Sequence, residues 1–236
     1  MKEVINQLRE AKLNESLLFY KALYSFAQMS ANSYKSIVES EKNNILYTLH
    51  IVRLMIDCIC SMYGVKLSGN PELYIQKFNK NERLDCLRVK GDKLSTNVIL
   101  KYLNERNNGI SELYNESCRY LHPTIYYKHK DKSDSILQMK NKWRIKGNLE
   151  NRYKIEYILK SLSDILFDIQ LEVFNEVIVP LYPDKLSNVE WKKRNVSLDR
   201  ETCMEYITKK LKQEEKFKLR MLRASEEKSE VERDMG

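Results

Sequence analysis

Residues 45–65 read ILYTLHIVRLMIDCICSMYGV, the longest apolar stretch of the chain. At about 100° per residue, Ile45, Leu49, Val52, Ile56, Ile59 and Tyr63 share one helix face. Met55, Met62, Ile51 and Leu54 cover much of the remainder, which leaves a narrow polar seam of His50, Arg53, Asp57 and Ser61. The stretch is nearly long enough to span a bilayer, but each charge at the centre of a span costs about 2.5–3.5 kcal/mol, and Arg53 and Asp57 stand there. It is therefore read as the central core helix of an all-α protein, with no membrane as partner. Arg53 and Asp57 are one turn apart and are expected to pair. On so apolar a helix, His50, Arg53 and Asp57 are expected to form a buried polar seam, either fixing helix register or making the polar floor of a cleft.

Composition supports long helices. The 236 residues hold only 6 Gly and 4 Pro, against roughly 17 and 12 at average usage, so there is little material for the turns a sheet needs. No Gly-rich phosphate loop can be built from them. Lys and Arg exceed Asp and Glu by 41 to 33, a net charge of +8, which favours polyanionic partners. The cysteines Cys58, Cys60, Cys86, Cys118 and Cys203 are odd in number and include no C-x-x-C pair. With no secretory h-region ahead of them, a reducing cytoplasm is the expected location. Cys58 and Cys60 point about 200° apart on a helix and cannot share a metal, and no zinc set has ordinary spacing. No metal and no cofactor is expected.

Outward from the central helix, Val4 to Leu13 and a segment from Asn14 through Leu17, Leu18, Ala22, Leu23, Phe26 and Met29 read as helical. The central helix is expected over 41–63 with Gly64 as its stop. Asn70-Pro71 starts a short helix, and Ser95 caps one reaching Glu105. Asn107-Asn108-Gly109 breaks the pattern before a helix over Ile110 to Leu121, which Pro123 ends. Residues 124–148 read as a long loop with seven Lys or Arg against two Asp. Asn148 caps a long helix with the stripe Ile155, Ile158, Leu159, Leu162, Ile165, Leu166 and Ile169, ending at Pro180. From Ser197 a charged helix follows, with a net of +4 over 205–223 and −3 over 224–236. The partition is a helical bundle domain over 1–196 and a protruding charged helix with an acidic tail over 197–236.

The 110–122 helix is two-sided. Ile110, Leu113, Tyr114, Ser117 and Leu121 share one face, while Glu112, Asn115 and Arg119 share the other, with His122 at the end. Asn115, Arg119 and His122 bring an amide, a guanidinium and an imidazole within reach of one phosphate, the chemistry of metal-independent RNA cleavage. The same residues also suit an ordinary surface face with His122 on the helix dipole.

The run Tyr114-Asn-Glu-Ser117-Cys-Arg119-Tyr120-Leu-His122-Pro123-Thr124 resembles the ending of a core helix in bacterial helical domains that carry a Tyr, a Ser and a terminal His-Pro-[Ser/Thr]. Those domains also carry R-x-x-x-E on an earlier apolar helix, where this chain has Arg53-x-x-x-Asp57. The architecture is similar to HEPN-like (higher eukaryote and prokaryote nucleotide-binding) bundles, which implies a multi-helix bundle of the kind common in toxin and antiphage defence systems. Active HEPN ribonucleases carry R-x4–6-H and work as dimers. This chain departs from them, since Arg119 and His122 make R-x-x-H.

Basic residues cluster at Lys128 to Lys146, at Lys192-Lys193-Arg194 after Trp191, and at Lys209 to Arg223. Aromatics interleave with the first two, as stacking on unpaired bases requires. Tyr126, Lys128, Lys130, Lys140, Trp143, Arg144, Lys192, Lys193 and Arg194 are the candidate nucleic-acid-binding residues. The expected function is an RNA- or nucleoprotein-binding accessory component of a defence or toxin system. The alternatives are a ribonuclease using Arg119, His122 and Asn115, and a protein–protein scaffold subunit. Expected partners are RNA or another nucleic acid, a protein bound through the C-terminal helix, and a second copy of the chain.

Overall fold

The computed structural model describes residues 2–10, 19–22, 25, 45–84, 86–121 and 149–234. The elements are helices α1 (Lys2–Glu10), α2 (Ile45–Leu67) and α3 (Pro71–Asn79), strands β1 (Arg88–Val89) and β2 (Asp92–Lys93), and helices α4 (Thr96–Arg106), α5 (Ile110–Leu121) and α6 (Leu149–Val173). A π turn (Phe174–Ile178), a last turn α7 (Val179–Leu181) and the long helix α8 (Arg200–Asp234) complete the order. The fold is mostly helical. The segments expected as helix over 11–18 and 26–29 and as loop over 124–148 lie outside the described residues.

α2 is the hub, packing chiefly on α6 and α5 and also on α3 and α4. Met55, Ile56, Ile59, Met62 and Val65 are sealed from solvent and meet Leu162, Ile165, Leu166 and Ile169 of α6 in one apolar core. Burial of each such side chain contributes about 1.5–3 kcal/mol. Tyr20 reaches this core from residues 19–22 and donates its hydroxyl to the Gln170 carbonyl at 2.8 Å.

Gly64 is not the stop of α2. The helix runs through it to Leu67, and Gly64 is buried where Tyr74 crosses. A Cβ there would lie 2.7 Å from the Tyr74 hydroxyl and 3.0 Å from Ile99, so the glycine serves close packing. The Asn70 side chain then accepts from the Leu73 N–H at 3.1 Å and caps α3 with Pro71 in its first turn. Ser95 caps α4 in the same way, accepting from the Val98 N–H at 3.4 Å. Between α3 and α4 the chain makes a minimal antiparallel pairing, Arg88 with Lys93 and Val89 with Asp92. This small hairpin departs from a purely helical expectation; Lys90 and Gly91 turn it with both φ positive.

Pro180 does not end α6 abruptly. The helix widens into the π turn, where the Val179 N–H reaches the Phe174 carbonyl, and the widened turn accommodates a ring that has no N–H to offer. Residues 186–199 then run back along α6 as an extended strap. An extended chain without a ladder must satisfy its backbone through side chains. Asn175 does so twice, donating to the Val189 carbonyl at 2.7 Å and accepting from its N–H at 2.9 Å. Asp168 accepts from the Arg194 N–H at 2.7 Å, and Asn107 donates to the Val196 carbonyl at 2.8 Å. The Leu198 N–H donates to the Asn108 carbonyl at 2.7 Å. Gly109 (φ +91°) passes so close to Leu198 that a Cβ would sit 2.6 Å from its carbonyl carbon.

Asp199 caps α8, accepting from the Thr202 N–H at 2.9 Å, and with the Ser197 hydroxyl beside it its carboxyl is held down at about 2. The first turns of α8 dock on α6 through Tyr153, Tyr157, Cys203 and Ile207. Past Glu214, whose carboxylate accepts from the Tyr153 hydroxyl at 2.6 Å, Phe217, Leu219 and Met221 are exposed.

Candidate functional site

The polar seam of α2 meets α5. Arg53 Nε donates to Asp57 Oδ2 at 2.8 Å, Nη2 donates to the Tyr114 hydroxyl at 2.6 Å, and Nη1 donates to Cys118 Sγ. The guanidinium carbon lies 3.9 Å from the Tyr114 ring centroid. Burial would lower the Arg53 pKa, but the bond to Asp57 and its charge raise it, so Arg53 is a permanent cation. Burial pushes the Tyr114 hydroxyl up to about 12 even beside that cation, so it stays protonated. The arrangement staples α5 to α2 and leaves little of the guanidinium for a ligand.

The seam is not buried along its length. His50 is exposed, and the Asp57 side chain is 43% accessible, against 22% for Arg53. At its Asp57–Ser61 end the seam faces the space between α2, α3, α4 and the chain segments joining the last two. They leave a cleft of about 630 Å³ with Asp57 and Ser61 at its edge and Tyr74, Phe78, Leu94 and Ile99 among its apolar lining. Cys60 also lines it, but burial and the nearby Asp57 push its thiol up to about 12, which rules out a thiolate nucleophile.

Asn115 lies exposed on α5. The Arg119 side chain and all of His122 lie outside the described residues, as do Tyr126, Lys128, Lys130, Lys140, Trp143 and Arg144. Lys192 and Lys193 are exposed on the strap. Arg194 pairs with Asp164 at 2.6 Å and lies 4.5 Å above the Phe167 ring, so its charge is compensated within the chain.

Two charged assemblies come together only in the fold. The first is structural. Glu172, 5% exposed on α6, pairs with Lys66 of α2 and with Arg106 of α4 at 2.5 Å, while Glu176 pairs with Lys66 at 2.7 Å. Burial would raise the Glu172 carboxyl, but the Lys66 hydrogen bond and the Arg106 charge outweigh it and hold it below the ordinary value.

The second lies on the outside of α6 and α8. Lys160, Lys209 and Lys210 line a groove of about 290 Å³ with Tyr206, Glu156 and Gln213. Glu156 is already engaged, by Lys210 at 3.2 Å and by the Tyr206 hydroxyl at 2.7 Å. Lys209, Lys212 and Lys216 follow at steps of three and four, all exposed, on the side of α8 turned away from the Cys203–Ile207 stripe. Glu201 and Glu205 precede them on that side, so the basic ridge starts at Lys209. The sequence signal was present in the run Lys209 to Arg223, but Lys160 joins it only through the fold.

No family model, curated protein or solved structure matches this chain. None of the described helices is long and apolar enough to cross a membrane.

Proposed function

We propose that the chain is a helical RNA-binding component whose docking face is the outer ridge of α8 together with the α6–α8 groove. The observation that carries this reading is the ridge of Lys209, Lys212 and Lys216, continued into the groove by Lys160, with the groove's own acid Glu156 already engaged. Ammonium groups one turn apart on an exposed helix gain most from a flexible polyanion that can follow them and release its condensed counterions. Single-stranded RNA fits that description better than a folded acidic protein. The basic segment 124–148, with Tyr126, Tyr127 and Trp143, joins the chain directly before α6, whose other face carries this groove. Exposed Lys192 and Lys193 add to the positive field.

Photo-crosslinking of a 4-thiouridine-substituted oligonucleotide, followed by peptide mapping, tests the placement. Crosslinks are expected in peptides covering residues 153–160 and 205–220, with added labelling in 124–148. Labelling confined to the α2–α3–α4 cleft, or none at stoichiometric protein and low salt, would refute the proposal.

A further inference from the structure

The stripe by which α8 docks on α6 does not end where α6 ends. Cys203, Ile207, Lys210, Glu214, Phe217 and Met221 recur at alternating steps of four and three, and the sequence keeps that spacing through Ala224, Lys228 and Val231. The first half of the stripe is covered: Cys203 and Ile207 are buried against Tyr153 and Tyr157, and Glu214 bonds Tyr153 in the first turns of α6. Beyond Glu214 that cover thins: Phe217 still lines a groove with Arg152 and Tyr153 of α6, and among the described residues no element buries Met221. Phe217 and Met221 stand 62% and 57% exposed on a helix that continues to Asp234.

The spacing is that of one strand of a coiled coil, with Phe217, Met221, Ala224 and Val231 apolar and Lys228 charged in its distal half, and the charges flanking it select the partner. Residues 216–225 carry four basic groups and no acid, while 226–234 carry five acids and two basic groups. A helix divided in this way repels a parallel copy of itself and attracts an antiparallel one. We propose that the distal half of α8 is a homodimerisation arm that pairs antiparallel with the same segment of a second copy. Centred near Glu226, this register sets Met221 opposite position 231, a Val, and Ala224 opposite position 228, a Lys. Arg220 falls opposite position 234, an Asp, and Lys218 opposite position 232, a Glu, each pairing occurring twice by symmetry. The charges set against this pairing are Glu227, which meets its own copy at the centre, and Lys228, which stands within the stripe itself. The arm leaves Lys209, Lys212 and Lys216 facing outward on both copies, so dimerisation doubles the basic ridge without covering it.

Sedimentation equilibrium on the full chain, treated with nuclease and measured at tens of micromolar, tests the arm. Wild type is expected at twice the 28.1 kDa of one chain. The Phe217→Glu/Met221→Glu variant changes only exposed side chains; it should keep the wild-type melting curve and dissociate at least tenfold more readily. Lys218→Glu/Arg220→Glu should do the same, and adding Glu232→Lys/Asp234→Lys should restore the dimer, because the swap rebuilds every pair with reversed sign. Glu227→Gln should tighten it. A wild type that stays monomeric, a dimer indifferent to Phe217 and Met221, or a four-fold swap that fails to rescue would each overturn the proposal.

Discussion

At Gly64 a single hydrogen atom decides how closely α2 and α3 approach. A methyl group there meets the Tyr74 hydroxyl at 2.7 Å, inside contact distance. Gly64→Ala should therefore destabilise by about 1–3 kcal/mol, the range for overpacking a core. Tyr74→Phe removes the nearest atom and should recover at least about 0.5 kcal/mol of that loss in a double-mutant cycle by urea denaturation. Strict additivity would show that the close approach is not the reason for the glycine. Arg53 and Asp57 make the complementary case. Their pairing follows from spacing alone, but their energetics follow from exposure. With the Asp57 side chain 43% accessible and Arg53 still held by Tyr114, Asp57→Ala should cost about 1 kcal/mol. Loss of a fully buried ion-pair partner costs on the order of 3 kcal/mol, and a measured loss of that size would contradict the half-open seam.

At the scale of elements, the ion network of Lys66, Arg106, Glu172 and Glu176 ties α2 and α4 to α6 and its π turn. Because the Glu172 carboxyl is held below its unfolded value of 4.5, it contributes stability above that pH and loses it as pH falls through the folded value. Glu172→Gln should cost on the order of 3 kcal/mol at neutral pH by taking the carboxylate from Arg106 and leaving Lys66 with Glu176 alone. It should also flatten the acid limb of the stability curve below pH 4.5, measured by urea denaturation across pH. An unchanged acid limb would assign the acid sensitivity elsewhere. Nothing in the sequence pointed to this network, since residues 66, 106 and 172 come together only when three helices pack. The helix starts at Asn70-Pro71 and Ser95 and the break at 107–109 were legible because a cap or a turn needs only its neighbours. Gly64 misled for the same reason: as a local signal it reads as a stop, and only Tyr74, ten residues on, explains it. The strap over 186–199 has no periodicity, and its anchors Asn175, Asp168 and Asn107 lie on other elements.

Over the whole molecule, one apolar core builds the bundle, and α8 extends from it as a charged arm whose first half is part of the body. The excess positive charge was visible from composition, but which cations remain available is a property of the fold. Arg194, a sequence candidate, is compensated by Asp164, and Lys210 by Glu156, whereas Lys209, Lys212 and Lys216 share an exposed face. That ridge is the heart of the functional proposal, and the salt dependence of RNA binding tests it most directly. Fluorescence anisotropy with a single-stranded oligouridylate should give a log Kd that rises linearly with log salt. Lys209→Gln/Lys212→Gln/Lys216→Gln should weaken binding and make that line shallower by up to about 2, at about 0.7 for each lost phosphate contact. The same affinity and the same slope in wild type and variant would show that α8's ridge does not bind RNA.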